Sequence, residues 1–328
     1  MSSRSAVISG TGISVPSRVV TNHDLESIVD TSDEWIVTRT GIRERRIAQD
    51  GELVSDHAAA ASKRALEAAG VDAGEVDLIV LATVTPDMPI PASACAVQQK
   101  LGAKKAFAFD LQAGCSGFLY AQSVAKQFLL TGRAQHALVI GAELLSKYLD
   151  WSDRTTCVIF ADGAGATLMS AGEAPRGILA TALHADGSMA DFITMPGGGC
   201  LHPPTPDTVR DKLHFIKMRG NETFKIAVRS LEDVSREALA QAGVRPEEVD
   251  WLIPHQANLR IIDAVRERLG IGPERCFVNI DRFGNTSAAS IPIALDEAVR
   301  SGKVQPGQIV LMAAFGAGLT WAASVVRW

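Results

Sequence analysis

The sequence predicts an α/β fold assembled from two related halves, and three features carry that prediction. Short apolar runs of buried-strand length, among them Leu78-Ile-Val-Leu81 and Ala137-Leu-Val-Ile-Gly141, alternate with amphipathic stretches of helical period. The chain has 328 residues, enough for two domains or two halves. It also matches itself: Ala65-Leu66, Ala69-Gly70-Val71 and Glu75-Val76-Asp77 recur 173 positions later as Ala238-Leu239, Ala242-Gly243-Val244 and Glu248-Val249-Asp250.

Each copy of the repeat reads as a helix ended by glycine, a short loop and a buried strand, Leu78–Leu81 in one and Trp251-Leu-Ile253 in the other. The parallel continues. Ala106–Leu111 and the helix after Cys115 match a strand over Cys276–Ile280 and the helix after Asn285, and Ala137–Gly141 matches Gln308-Ile-Val-Leu-Met312. The predicted halves are residues 1–172 and 173–328. Pro-Gly-Gly-Gly-Cys-Leu-His-Pro-Pro-Thr-Pro (196–206) is a loop by composition, an insertion between them. Gly10-Thr-Gly12 is a partial dinucleotide fingerprint, without the third glycine or the acidic partner, so NAD binding is rejected.

Composition narrows the function. The chain is 47% hydrophobic and 21% charged, as expected of a soluble globular protein with a large core. A net charge of −5 offers no basic field for nucleic acid. No apolar run approaches the ~20 residues of a membrane span, and no signal peptide is legible, so a reducing cytoplasm is the expected setting. The five cysteines form no zinc or disulfide pattern, so no metal is expected. Cys95, Cys157, Cys200 and Cys276 read as buried small hydrophobes.

Cys115 reads differently. It stands where an apolar strand breaks at glycine and a helix begins, in Asp-Leu-Gln-Ala-Gly-Cys-Ser-Gly-Phe. Unpaired N–H groups at a helix start favour thiolate over thiol, so the sequence predicts a lowered pKa and a nucleophile. A carbonyl attacked by such a nucleophile needs two fixed donors about 3 Å from its developing oxyanion. His255, in Ile-Pro-His-Gln-Ala-Asn-Leu-Arg, and Asn285, in Phe-Gly-Asn-Thr-Ser-Ala-Ala-Ser, carry side chains able to supply neutral N–H donors. His23, His57, His136, His184, His202 and His214 read as structural or surface residues.

These three segments, in this order and wording, resemble the Cys-His-Asn active site of the β-ketoacyl-acyl-carrier-protein synthase III family of the thiolase superfamily, and the resemblance spans essentially the whole chain. It implies a thiolase-like fold with the two halves in five layers, αβαβα. It implies an acyltransferase that loads Cys115 from an acyl-CoA starter, acetyl or short and branched. Malonyl-acyl-carrier protein is then decarboxylated, and its enolate condenses with the acyl-cysteine to initiate type II fatty acid synthesis. No cofactor beyond the coenzyme A thioester is implied. The backbone N–H groups of Cys115 and Ala317 would form the oxyanion hole, while His255 and Asn285 would stabilise the enolate. Ala317, in Ala-Phe-Gly-Ala-Gly-Leu-Thr-Trp, replaces a common glycine and is viable only if its φ stays negative or the strain is tolerated.

The segment Thr31–Arg45 resembles the family's coenzyme A segment. Trp35 and Arg154 would stack the two faces of the adenine, with Arg39 and Thr40 near the phosphates and ribose. Gly220, Phe224, Ala257 and Asn258 map onto the pantetheine tunnel. Ile90 matches the residue that closes the partner subunit's acyl pocket in a homodimer. A helix from near Asn258 has an apolar face of Ile261, Ile262, Val265 and Leu269, with Arg266 and Arg268 flanking it and Arg260 opposite, a surface suited to an acidic carrier protein. Gly114 and Ser116 stand for common alanines and Ala161 for a common glycine. They leave open a relative from secondary metabolism using the same triad. A non-enzymatic scaffold that binds carrier protein is the remaining alternative, and retention of the triad argues against it.

Overall fold

The computed structural model describes residues 4–328. Strands of four or more residues are numbered β1 Arg4–Ser14, β2 Leu78–Ala82, β3 Phe107–Leu111, β4 His136–Leu144, β5 Asp162–Glu173, β6 Gly177–Ala185, β7 Trp251–Pro254, β8 Ile309–Gly316 and β9 Thr320–Arg327. Helices of eight or more are α1 Asp33–Thr40, α2 Val54–Ala69, α3 Ser93–Leu101, α4 Gly117–Leu130, α5 Gly220–Ala242, α6 Leu259–Arg268 and α7 Ser290–Arg300. The strands form two sheets, ordered β1-β5-β4-β2-β3 and β7-β8-β9-β6. The chain changes sheets between Glu173 and Gly177.

Burial on both faces explains the continuous apolar strands. Every residue of β2 and β8 is buried. Helices α4 and α7 lie between the sheets, where Phe118, Leu119, Ile291 and Leu295 share one core with Val80, Val139, Val310 and Met312. Helix α2 covers the outer face of the first sheet and α5 and α6 that of the second, giving five layers, αβαβα. Gly10 and Gly12 have a packing role here. A Cβ on either would come within 2.4 Å of a carbonyl oxygen of α2, so the glycines let helix and strand approach closely.

The repeat is visible in the backbone. Gly70 and Gly243 end α2 and α5 with φ of 66° and 65°, and the next residue of each, Val71 or Val244, donates back to Leu66 or Leu239 at 3.2 and 3.0 Å. Asp77 and Asp250 each accept a backbone N–H at the start of the neighbouring strand, from Gln135 and Ile309, both at 2.7 Å.

The duplication is incomplete at one place. The strand expected over Cys276–Ile280 is reduced to a single bridge between Leu252 and Cys276, and a short helix, Ile280–Phe283, takes its end. Strand β7 ends at proline, and the Gln256 side chain substitutes for the ladder, accepting from Asn279 N–H at 3.1 Å and donating to Phe277 O at 3.3 Å. Cys157 and Cys276 are buried as expected. Cys95, on α3, and Cys200, in the loop over 196–206, are exposed, against the expectation of core positions.

Candidate active site

The sheets deliver their chemistry at the strand ends. Cys115 follows β3 in a one-turn 3-10 helix, Gly114–Ser116, that leads into α4. His255 follows β7, with its N–H on Ala313 O of β8 at 2.8 Å. Asn285 precedes a second 3-10 turn, Ser287–Ala289, that leads into α7. Cys115 and Asn285 thus occupy matching places in the two halves.

The segment 285–290 connects all three. Ser287 N–H donates to Asn285 Oδ1 at 2.9 Å, which fixes the amide and leaves its NH2 as the outward donor. The Ser287–Ala289 turn packs against the Gly114–Ser116 turn that carries the thiol, and the Ser287 hydroxyl donates to Glu143 Oε1 at 3.2 Å. Ser290 Oγ meets His255 Nδ1 at 2.6 Å and also accepts Gln256 N–H at 3.3 Å. A Ser290 proton directed at Nδ1 would place the imidazole hydrogen on Nε2. Asn285 is pinned from the other side as well: its N–H donates to Ile159 O at 3.0 Å and its carbonyl accepts Ala161 N–H at 2.9 Å. Gly284, at φ 62°, faces Ala161, where a Cβ would lie 3.1 Å from the alanine methyl; glycine at 284 makes room for alanine at 161.

Burial sets the protonation states. It pushes the Cys115 thiol up to about 11, an effect that the Ser287 hydrogen bond opposes and the nearby Glu143 carboxyl reinforces. This shift runs opposite to the lowered thiol pKa expected from the sequence. Burial also holds His255 down at about 3, so its ring is neutral.

The turn joining β8 to β9 closes against Cys115. A Cβ on Gly316 would sit 2.4 Å from Cys115 N, and one on Gly114 would sit 2.7 Å from Ala317 N. The two glycines thus bring the backbones of Cys115 and Ala317 together. Lys212 and Ser287 are the described non-glycine residues at positive φ; Ala317 keeps a conformation that alanine tolerates.

Other sequence-predicted residues fall into groups. Trp35 carries Arg154 over its ring at 5.2 Å and Arg39 at 4.8 Å. A base stacked between Trp35 and Arg154 needs about 7 Å, two van der Waals layers, so Arg154 has to swing outward to admit one. Thr40 drops out of the binding set: it is buried, its hydroxyl donates to Ile36 O at 2.7 Å and it accepts Ile42 N–H at 3.0 Å. Asn258 caps α6 and donates to Arg39 O at 2.9 Å, joining α6 to α1, with Ala257 beside it. Gly220 starts α5, and Phe224, one turn on, lies under the Arg260 guanidinium at 5.3 Å. Arg266 is paired with Asp263 at 2.8 Å and Arg268 with Glu232 at 3.1 Å. Ile90 is 85% exposed.

Sequence reasoning missed Glu143, Ser287, Ser290 and Gln256. A carboxylate closing the apolar run Ala137–Leu145 was the available signal for Glu143.

Known proteins resemble this chain along nearly its whole length. The family described as 3-oxoacyl-[acyl-carrier-protein (ACP)] synthase III matches residues 109–187, and its C-terminal part matches residues 239–328. The beta-ketoacyl-[acyl-carrier-protein] synthase III of Caldanaerobacter subterraneus subsp. tengcongensis is 53% identical over 98% of both chains. The crystal structure of 3-oxoacyl-[acyl-carrier-protein] synthase III from Aquifex aeolicus superposes with a TM-score of 0.91 at 51% identity, covering 98% of this chain and 100% of that one. The priming β-ketosynthase of the R1128 polyketide pathway superposes at 0.92 with 38% identity, covering 98% and 96%. With its five αβαβα layers and half its residues shared with relatives matched along nearly their whole length, this chain belongs to the 3-oxoacyl-[acyl-carrier-protein] synthase III family.

Proposed function

We infer that the chain is a β-ketoacyl-acyl-carrier-protein synthase III, an acyltransferase that joins an acyl-CoA starter to malonyl-acyl-carrier protein by decarboxylative Claisen condensation. The observation that carries this reading is the segment 285–290, which ties the thiol, the imidazole and the amide to one turn. Cys115 Sγ attacks the acyl-CoA carbonyl, the oxyanion takes the Cys115 and Ala317 N–H groups, and coenzyme A leaves. Malonyl-acyl-carrier protein then loses CO2. His255 Nε2–H and the Asn285 NH2 hold the enolate oxygen while its carbon attacks the acyl-cysteine and expels the thiolate. A neutral imidazole suits this role, since it donates without requiring protonation. The thioesters supply the driving chemistry, so no resident cofactor is needed. The working form is a cytoplasmic homodimer. The reading is tested by adding acetyl-CoA and then malonyl-acyl-carrier protein and following the loading and discharge of Cys115.

The starter is chosen at Ile90, which in the homodimer caps the partner's acyl pocket. Ile90→Phe shifts preference toward acetyl and Ile90→Ala toward longer chains, by the ~1–3 kcal/mol of a methylene-scale change. Relative kcat/KM across a chain-length series checks this, and an unchanged series rejects the assignment.

The carrier docks at α6, where Arg260 is the cation that matters most, because Arg266 and Arg268 are already held by carboxylates. Arg260→Glu weakens use of malonyl-acyl-carrier protein through association and flattens its salt dependence, while acetyl-CoA loading changes much less. Equal losses in both half-reactions, measured across an ionic-strength series, would move Arg260 to the coenzyme site.

A further inference from the structure

We propose that Glu143 is a positioning residue for malonyl decarboxylation: through the Ser287 hydroxyl it holds the turn that aims the Asn285 amide, a role that rests on the enolate-holding function inferred above for Asn285.

Glu143 lies one residue before the end of β4 and is wholly buried. A carboxylate is costly to bury unless donors meet its oxygens, and here they come from two places. From the loop after β2, Thr85 Oγ1 donates to Oε2 at 2.7 Å and Thr83 Oγ1 at 3.2 Å, while Val84 N–H reaches Oε2 at 3.0 Å and Oε1 at 3.2 Å. The loop is itself braced, since Thr83 Oγ1 accepts Thr85 N–H at 3.1 Å and Thr85 Oγ1 accepts Leu144 N–H at 2.9 Å. The remaining donor is distant in sequence: Ser287 Oγ donates to Oε1 at 3.2 Å, linking the first sheet to the turn before α7.

Ser287 is a residue that needs such a tether. It holds φ 49°, a left-handed conformation that glycine adopts freely and L side chains adopt at a steric cost. In that conformation its N–H reaches Asn285 Oδ1 at 2.9 Å. The amide has two ends of opposite polarity. With Oδ1 on the Ser287 N–H, the NH2 is the end presented as a donor; a flipped amide would present its oxygen to the enolate oxygen and repel it. By holding Ser287, Glu143 selects the donor. The backbone serves the same contact. Gly141 precedes Glu143 by two positions and so shares its face of β4, and a Cβ there would sit 2.2 Å from Ala288 O; glycine lets the strand come close enough for Glu143 to reach the turn.

The test measures steady-state CO2 release from malonyl-acyl-carrier protein beside single-turnover loading of Cys115 by acetyl-CoA. Ser287→Ala keeps the N–H and loses the tether. It is expected to lower kcat for CO2 release about 10-fold with KM and loading near their unaltered values, a smaller loss than the ~10²–10³ of deleting the Asn285 donor. Ser287→Gly takes the left-handed φ without a tether, so it should lose less than Ser287→Ala, whereas a packing defect would worsen with the smaller residue. Glu143→Gln has one acceptor oxygen where the carboxylate has two and should follow Ser287→Ala; the serine variants decide the question even if it does not fold. In an Asn285→Ala background, Ser287→Ala should cost nothing further, because the donor it positions is gone. Full kcat in Ser287→Ala overturns the proposal, and so does an equal further loss in the Asn285→Ala background, a greater loss with glycine than with alanine, or a parallel loss of loading. An unaltered enzyme that releases no CO2, or an Asn285→Ala enzyme that releases it at the full rate, would overturn the inferred function of Asn285 and the tether with it.

Discussion

Cys115→Ala is expected to abolish acyl-enzyme formation, a loss on the order of 10⁶ in rate, the scale seen when a covalent nucleophile is deleted. The fold should survive. The residue is only partly buried and stands in a turn shaped by the Gly114 and Gly316 backbones, and alanine keeps the N–H assigned to the oxyanion hole. Intact mass after exposure to acetyl-CoA checks the first expectation and a thermal melt the second. Peptide mapping that finds the acyl group on exposed Cys95 or Cys200 would defeat the assignment.

Removing His255 or Asn285 should separate the two half-reactions. Each gives up one enolate donor, so His255→Ala and Asn285→Ala are expected to lose about 10²–10³ in malonyl decarboxylation and condensation while still loading Cys115. Asn285→Ala is the cleaner variant, since alanine at buried 255 leaves a cavity and strands Ser290. The same assignment fixes a sign for pH. Because burial depresses the histidine to about 3, the ring gains charge only below that value, and decarboxylation should be flat between pH 5 and 7. An acidic limb near 6.5, the value of a solvated imidazole, would contradict a neutral donor. Equal collapse of loading in both variants would contradict this division of labour.

What was legible in the sequence was whatever local pattern and spacing encode. The repeat with its constant offset foretold the two glycine-capped helices, because a left-handed cap depends on the one residue that adopts it freely. The strand-glycine-cysteine junction foretold the turn at a helix start where Cys115 stands. What failed depended on groups brought together from afar. The lost strand at Cys276 turns on a Gln256 side chain that replaces a ladder, and the raised thiol pKa turns on burial that no local pattern reports. Thr40 follows a family word yet points into the core, where its hydroxyl serves its own helix. Ser287 and Glu143 lie 144 positions apart, so their meeting is visible only once the two halves are packed.

The most direct test of the account loads the enzyme with acetyl-CoA, maps the acetyl group, then adds malonyl-acyl-carrier protein and follows the products. The account predicts one acetyl group on Cys115, discharged as acetoacetyl-acyl-carrier protein with one CO2 released per turnover. Acetyl carried on another residue, or an acetyl-Cys115 that malonyl-acyl-carrier protein does not discharge, would contradict it.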